Sequence, residues 1–271
     1  MINELNELEV KEIKNLAKEK LGLCGKTNDI IGTQIFSILS MYARVIYYPL
    51  GQNAPWGFTR ISGSRDDAAL EKPFVAINSS IPMDCQVFAA AHELYHIWFE
   101  QHPDILPADL LSEQNKEISE RKANRFAAEF LVNENLLRQE IHLYSIEDVT
   151  MKNVLQLASL FTVPYRTMVK RLYEIGWITE TQQRIFLNET EKNISIYYKK
   201  YAIPEQTADE RVSMDNLVEL AAEAYEKGYI TYEKLEYLLS LSNLLPEELG
   251  IERKNFGTFP SDDELADIME E

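Results

Sequence analysis

Apolar and polar positions alternate along this chain with periods that change from segment to segment. Ile2, Leu5, Leu8, Ile13 and Leu16 share one face at helical spacing. A second helix is expected from Asn28, a suitable N-cap, through IIGTQIFSILSMYA. Two β-rich runs follow, RVIYYPL (44–50) and KPFVAIN (72–78). Gly, Pro and Asp between them point to a long loop or a hairpin. Pro82 and Asp84 suit the start of a helix through AAAHELYHIWFEQH, which His102-Pro103-Asp104 should end. Further helices are expected over Glu113–Val132, as two short ones around Thr162-Val163-Pro164, and through NLVELAAEAYEKG and TYEKLEYLLSLSNLL.

No apolar run reaches the roughly 18 residues of a membrane span, and MINELNELEVKEIK lacks a signal peptide's basic and apolar regions. Cys24 and Cys85 lack metal-type spacing and read as free thiols, which suits a cytoplasmic location. The net charge of −17 opposes broad phosphate binding. It is uneven. Residues 1–179 hold 23 acidic and 18 basic side chains, whereas residues 180–271 hold 21 and 9. The last third, with its acidic tail SDDELADIMEE, therefore reads as a separate helical region, either packed on the rest or recognising a basic partner. The expected domains are 1–145, a helix-turn-helix-like pair at 146–182, and an acidic region at 183–271.

His92-Glu93-Leu94-Tyr95-His96 has the HExxH spacing. Residues four apart share a helix face, so His92 and His96 can hold one ion with Glu93 beside it. Phe88, Ala91, Leu94, Tyr95, Trp98 and Phe99 make that helix apolar nearly all round. Buried histidines and a buried carboxylate are costly without a partner, and a metal would be one. A catalytic zinc takes three protein ligands and a water. His102 has the spacing of the third ligand in HExxHxxGxxH proteases, but Phe99 stands where that pattern turns at Gly. In ISERKANRFAAEFLV, Glu120 falls inside an apolar stripe of Ala123, Phe126, Ala127, Phe130 and Leu131, whereas Glu129 should face water. Glu120 is therefore the better third ligand, with a Glu paired to Arg121 as the alternative. Small Ala123 and Ala127 would let the two helices approach closely.

HELYH followed by ERKANRFAAEFLV resembles the ImmA/IrrE family of zincin-like metallo-endopeptidases. PFVAIN and the LASLF-VP-VKRL segment also sit where that family has similar segments. Tyr95 departs from a common Gly, and Val132-Asn133 from a frequent Pro. The resemblance implies an α+β, mainly helical fold, with a zincin-like domain carrying a small antiparallel sheet and an active-site helix. By motif position it implies His92, His96 and Glu120 as ligands of a zinc ion, or of Mn2+ or another divalent ion, with Glu93 as general base. It further implies a helix-turn-helix repressor of a mobile element or stress response as substrate.

Asn124 is a candidate to hold a ligand histidine, and the strand FVAI (74–77) to pair with an extended substrate. Tyr47, Tyr48, His142 and Tyr144 are oxyanion candidates by type alone. Ala158, Val163, Val169 and Leu172 would fill a helix-turn-helix core, with Arg166, Lys170 and Arg171 as a small basic face. Structural packing is favoured there over DNA binding. The alternative to an enzyme is a DNA- or protein-binding regulator that sequesters a repressor and keeps a structural metal site.

Overall fold

The computed structural model describes residues 5–60, 72–100, 113–214, 217–242 and 244–253. The chain forms two compact units, Met1–Val212 and Ser213–Glu271. The first holds the residues with candidate chemistry.

Helix α1 (Glu7–Leu23) opens with a capping box between Asn6 and Glu9. It buries Ile13, Ala17 and Leu21, one turn apart each time, while Leu8 is 75% exposed. Of the stripe expected from Ile2 onward, Ile13 is buried and Leu5 and Leu16 pack partly buried on the core, whereas Leu8 faces away and Ala17 and Leu21 widen the buried face instead. The second helix also starts later than expected. Gly32 has φ +48°, which a continuous right-handed helix does not accept. A 3₁₀ turn (Gly32–Gln34) comes first, and α2 is Ile35–Tyr42.

Strands β1 (Arg44–Tyr48), β2 (Gly57–Arg60) and β3 (Phe74–Asn78) follow. They lie in the order β2-β3-β1. β1 runs parallel to β3 with Arg44 opposite Phe74, and β2 antiparallel with Gly57 opposite Ile77. The sheet is therefore mixed, not antiparallel. FVAI is its inner strand, hydrogen-bonded on both sides, so it has no free edge for a substrate. Among the described residues that edge belongs to β2, which lies within the turn-rich stretch. Buried Asn78 fixes the approach to it. Its amide donates to Gly51 O (2.8 Å) and Pro55 O (3.3 Å), and its Oδ1 accepts from Leu50 N (3.1 Å).

Helix α3 (Met83–Phe99) follows β3, and α4 spans Glu113–Leu131. His102 and the expected stop at 102–104 lie outside the described residues. α3 and α4 pack tightly through Ala123 and Ala127, both 0% exposed. Phe126 meets Tyr95 at 5.6 Å and Trp98 at 5.8 Å between ring centroids. Helices α5 (Glu134–Leu143), α6 (Met151–Phe161), α7 (Tyr165–Glu174), α8 (Glu180–Leu187) and α9 (Glu191–Lys200) complete the unit.

Ala158, Val163, Val169 and Leu172 are buried, as their spacing predicts. Arg171 is not on a basic face. It is 1% exposed and forms an ion pair with Glu129 at 2.8 Å, while also donating to Val132 O. Glu129, expected in water, is 4% exposed for the same reason. A carboxylate on the polar side of α4 becomes interior once α7 covers that side. Phe186, Ile194 and Tyr198, from a stretch that charge groups with the acidic end, join this core.

The second unit has a short strand (Ser213–Met214), α10 (Leu217–Glu226), α11 (Tyr232–Ser240) and a 3₁₀ turn (Pro246–Leu249). Its small core is Ala221, Tyr225, Leu235 and Leu239. Leu220, on the same helix as Ala221, faces outward and is 51% exposed. The acidic tail lies outside the described residues. No helix among the described residues is long and apolar enough to cross a membrane.

Candidate metal centre

α3 carries His92 and His96 one turn apart, and α4 brings Glu120 to them. Their ligand-type atoms all lie within 4.8 Å of one another. His92 Nε2 is 3.1 Å from His96 Nε2 and 3.1 Å from Glu120 Oε2. His96 Nε2 is 3.9 Å from Glu120 Oε1. The two rings are mostly buried, but the Glu120 side chain is 48% exposed. Its place in the stripe of α4 therefore does not bury it. The stripe ends there, at the open mouth of the α3–α4 groove.

The outer ring nitrogens are held from behind. His92 Nδ1 lies 3.1 Å from Asn124 Oδ1, and His96 Nδ1 lies 2.6 Å from Glu100 Oε2. Ser119 on α4 donates to the other oxygen of Glu100. Both outer partners are acceptors and favour the tautomer with its proton on Nδ1, which in a neutral ring turns the Nε2 lone pair inward. With both rings in that form, two nitrogen lone pairs and a carboxylate converge on one point. A divalent cation relieves that convergence. Zinc bonds of about 2.0–2.1 Å set tetrahedrally give ligand–ligand edges of about 3.3 Å. The donor set of two imidazoles and one carboxylate suits zinc and leaves a position for water.

Burial holds the His92 pKa below its ordinary value, and the charge of His96 pushes the same way. Burial also opposes charge on His96, but the Glu100 hydrogen bond and the Glu100, Glu93 and Glu120 charges outweigh it and raise its pKa. Glu93 is 4% exposed. Burial raises its pKa, and a hydroxyl hydrogen bond from Thr59 offsets this in part.

That hydroxyl sits on β2, where Thr59 Oγ1 donates to Glu93 Oε2 at 2.7 Å. Two residues earlier, a Cβ on Gly57 would stand 3.1 Å from Glu93 Oε1 and 3.2 Å from Ala76 O. Only glycine lets β2 lie this close to α3 without displacement. Gly57, Thr59, Glu100 and Ser119 are thus additions to the residues expected from sequence. Glu100 had a signal, standing four residues after His96 on the same face. Thr59 and Gly57 had none, because strand pairing and the β2–α3 approach bring them in. The oxyanion candidates make other contacts. Tyr47 packs on Phe36 and Arg211, and His142 on Trp177. Tyr48 and Tyr144 are half exposed, at 50% and 52%.

The model of the IrrE N-terminal-like domain, Peptidase_M78, matches residues 43–173. Among solved structures, one described as a Mycobacterium tuberculosis transcriptional regulator is similar at 15% identity with a TM-score of 0.41. The likeness covers 60% of this chain and 46% of that one, so the chain spans less than half of that relative's length. No curated protein matches the chain. The family match runs from Ala43, before β1, to Tyr173, near the end of α7, and encloses every residue of the centre described above. Through residues 43–173 the match supports the resemblance to the ImmA/IrrE family.

Proposed function

We propose that this protein is a cytoplasmic, zinc-dependent endopeptidase that cuts a helix-turn-helix transcriptional repressor. His92, His96 and Glu120 would hold the ion, and Glu93 would be the general base. The observation that carries the reading is the inward convergence of three lone pairs beside a buried, hydrogen-bonded carboxylate. A purely structural site has no need of that carboxylate.

When bound, the metal supplies Lewis acidity to a substrate carbonyl and lowers the pKa of water towards 7. Glu93 takes the proton of the attacking water and returns it to the leaving amine. Burial raises the affinity of Glu93 for that proton, which suits a base that must hold it between two steps. Asn124 and Glu100 keep both rings in the tautomer that offers Nε2. Among the described residues β2 is the outer strand of the sheet, and its edge beside Glu93 can pair with an extended substrate backbone. DNA is not the favoured partner, because Arg171 is sequestered and the chain is strongly acidic. The family resemblance, not the geometry, points to a repressor.

The test is incubation with candidate repressors from the same genome and zinc, with and without chelator, followed by mass spectrometry. Cleavage should be chelator-sensitive. Glu93→Gln should retain the metal and lose cleavage by about 10²-fold or more. A Gln variant that cuts as fast as the parent removes Glu93 as the base. Stable repressor binding with no cut in any condition favours sequestration instead.

A further inference from the structure

A half-open cleft of about 690 Å³ lies between α3, α4, α7 and α9. Its size falls within the ~300–1,000 Å³ of sites that enclose a small-molecule ligand. Among the described residues its walls include none of His92, Glu93, His96 and Glu120, and no residue of β2. It therefore stands apart from the candidate metal centre. Three carboxylates gather at one end. Burial raises the pKa of Asp84, in the first turn of α3, and the charge of Glu205, beyond α9, pushes the same way. Asp84 and Glu205 both act on buried Tyr198, and Asp84 and Glu191 both act on Cys85. All five side chains line the cleft. Ser195 donates to Glu205 at 2.8 Å, but among the described residues no cation pairs with any of the three acids.

The opposite sign comes from α7. Arg166 and Lys170, two of the three bases expected on one face of this helix, line the cleft one helical turn apart. Arg166 donates to Leu187 O at 3.1 Å. Among the described residues Lys170 has no ion-pair partner. The remaining charges on the walls are already matched, because Arg125 on α4 pairs with Glu174 on α7 and with Glu129. Phe88, Ala128 and Ile194 add apolar wall. Lys170 and the three acids thus share one cleft without pairing with each other. A ligand that carries both signs on an apolar body satisfies all of them at once, and charge-assisted hydrogen bonds are the strong ones.

We propose that this cleft binds a small zwitterion of the short-peptide class, its ammonium against Asp84, Glu191 and Glu205 and its carboxylate against Lys170. A free di- or tripeptide has both charged ends, an apolar body and the size of ligand that such a cleft holds. The site does not depend on the endopeptidase reading, because none of the centre's residues is in its walls.

The test is calorimetric titration of the full chain carrying Glu93→Gln, so that no probe is cut, with and without zinc. The probes are the peptides Ala-Leu and Ala-Leu-Ala, each with free ends, with the amine acetylated and with the carboxylate amidated. A free-ended probe should bind equally well with and without zinc. Blocking either end should weaken it roughly 10-fold or more, the worth of a hydrogen bond to a charged group. Lys170→Gln should abolish the difference between acid and amide, and Asp84→Asn the difference between amine and acetylated form. Glu205→Gln reads the same end, should Asp84→Asn not fold. No binding of either free-ended probe overturns the site. A preference for a free end that survives in its matching variant overturns it too. Binding that appears only with zinc places the peptide at the metal centre and has the same consequence.

Discussion

Thr59 Oγ1 donates to Glu93 Oε2 across 2.7 Å, joining the outer strand of the sheet to the helix that carries both histidines. With Gly57 beside the other carboxylate oxygen, it fixes where the proposed base points. Thr59→Val keeps the shape and removes the donor. It should lower kcat about 10- to 100-fold, the usual cost of losing a supporting hydrogen bond at a metal site. KM and metal content should hold, and Thr59→Ser should restore most of the rate. Steady-state kinetics with metal analysis decide it; an unchanged kcat in Thr59→Val removes Thr59 from the machinery.

Glu100 joins His96 to Ser119 and so links α3 to α4. Glu100→Ala frees the ring of His96 to turn and to change tautomer. Zinc affinity should fall about 10- to 100-fold, with little loss of fold stability because Glu100 is partly exposed. Competition with a zinc-binding dye reads the affinity, and urea unfolding of the metal-free chain reads the stability. Equal affinity in parent and variant would show that Glu100 does not orient the ligand.

The Glu129–Arg171 pair lies within the α4–α7 contact, with side chains 4% and 2% exposed. Removing one partner leaves a buried charge, so Arg171→Met should cost about 3–5 kcal/mol in urea unfolding. Arg125 also binds Glu129, so the double change Glu129→Leu with Arg171→Met should recover only part of that loss. A cost below about 1 kcal/mol for Arg171→Met would show that the pair is not a structural lock.

Lys14 hydrogen-bonds Glu134, tying α1 to α5. That bond is the largest cause holding the Glu134 pKa below its ordinary value, and the Arg138 bond adds to it against partial burial. A carboxylate with a depressed folded pKa stabilises the fold fully above its unfolded pKa of about 4.3. The contribution is lost as pH falls through the lower folded value. Lys14→Met should therefore reduce stability slightly at pH 7, and the difference from the parent should vanish in acid. Half-exposed Lys14 keeps the effect small. A difference that grows below pH 4 would contradict the assigned shift.

Much of the centre was legible because local periodicity sets it. His92 and His96 are four apart on a helix, and Ala123 and Ala127 allow the close approach that brings Glu120 in. Exposure was less legible. Glu120 and Glu129 were assigned to opposite environments from the wheel of α4, and each occupies the other's. A wheel shows which residues share a face. It does not show which neighbour covers that face, and here α7 covers one carboxylate while the groove mouth opens at the other.

The sequence by itself determined the helix that carries the HExxH pair, the helix that carries the companion carboxylate and the motif pair behind the family resemblance, since all of these follow from spacing within short stretches. The tertiary structure alone decided which strand has the free edge, what holds Glu93 and what α7 faces. Strand order places β2 outside β3, and a 34-residue separation closes between Thr59 and Glu93. These are non-local contacts, chosen by how whole elements pack, and no periodicity within a segment encodes them.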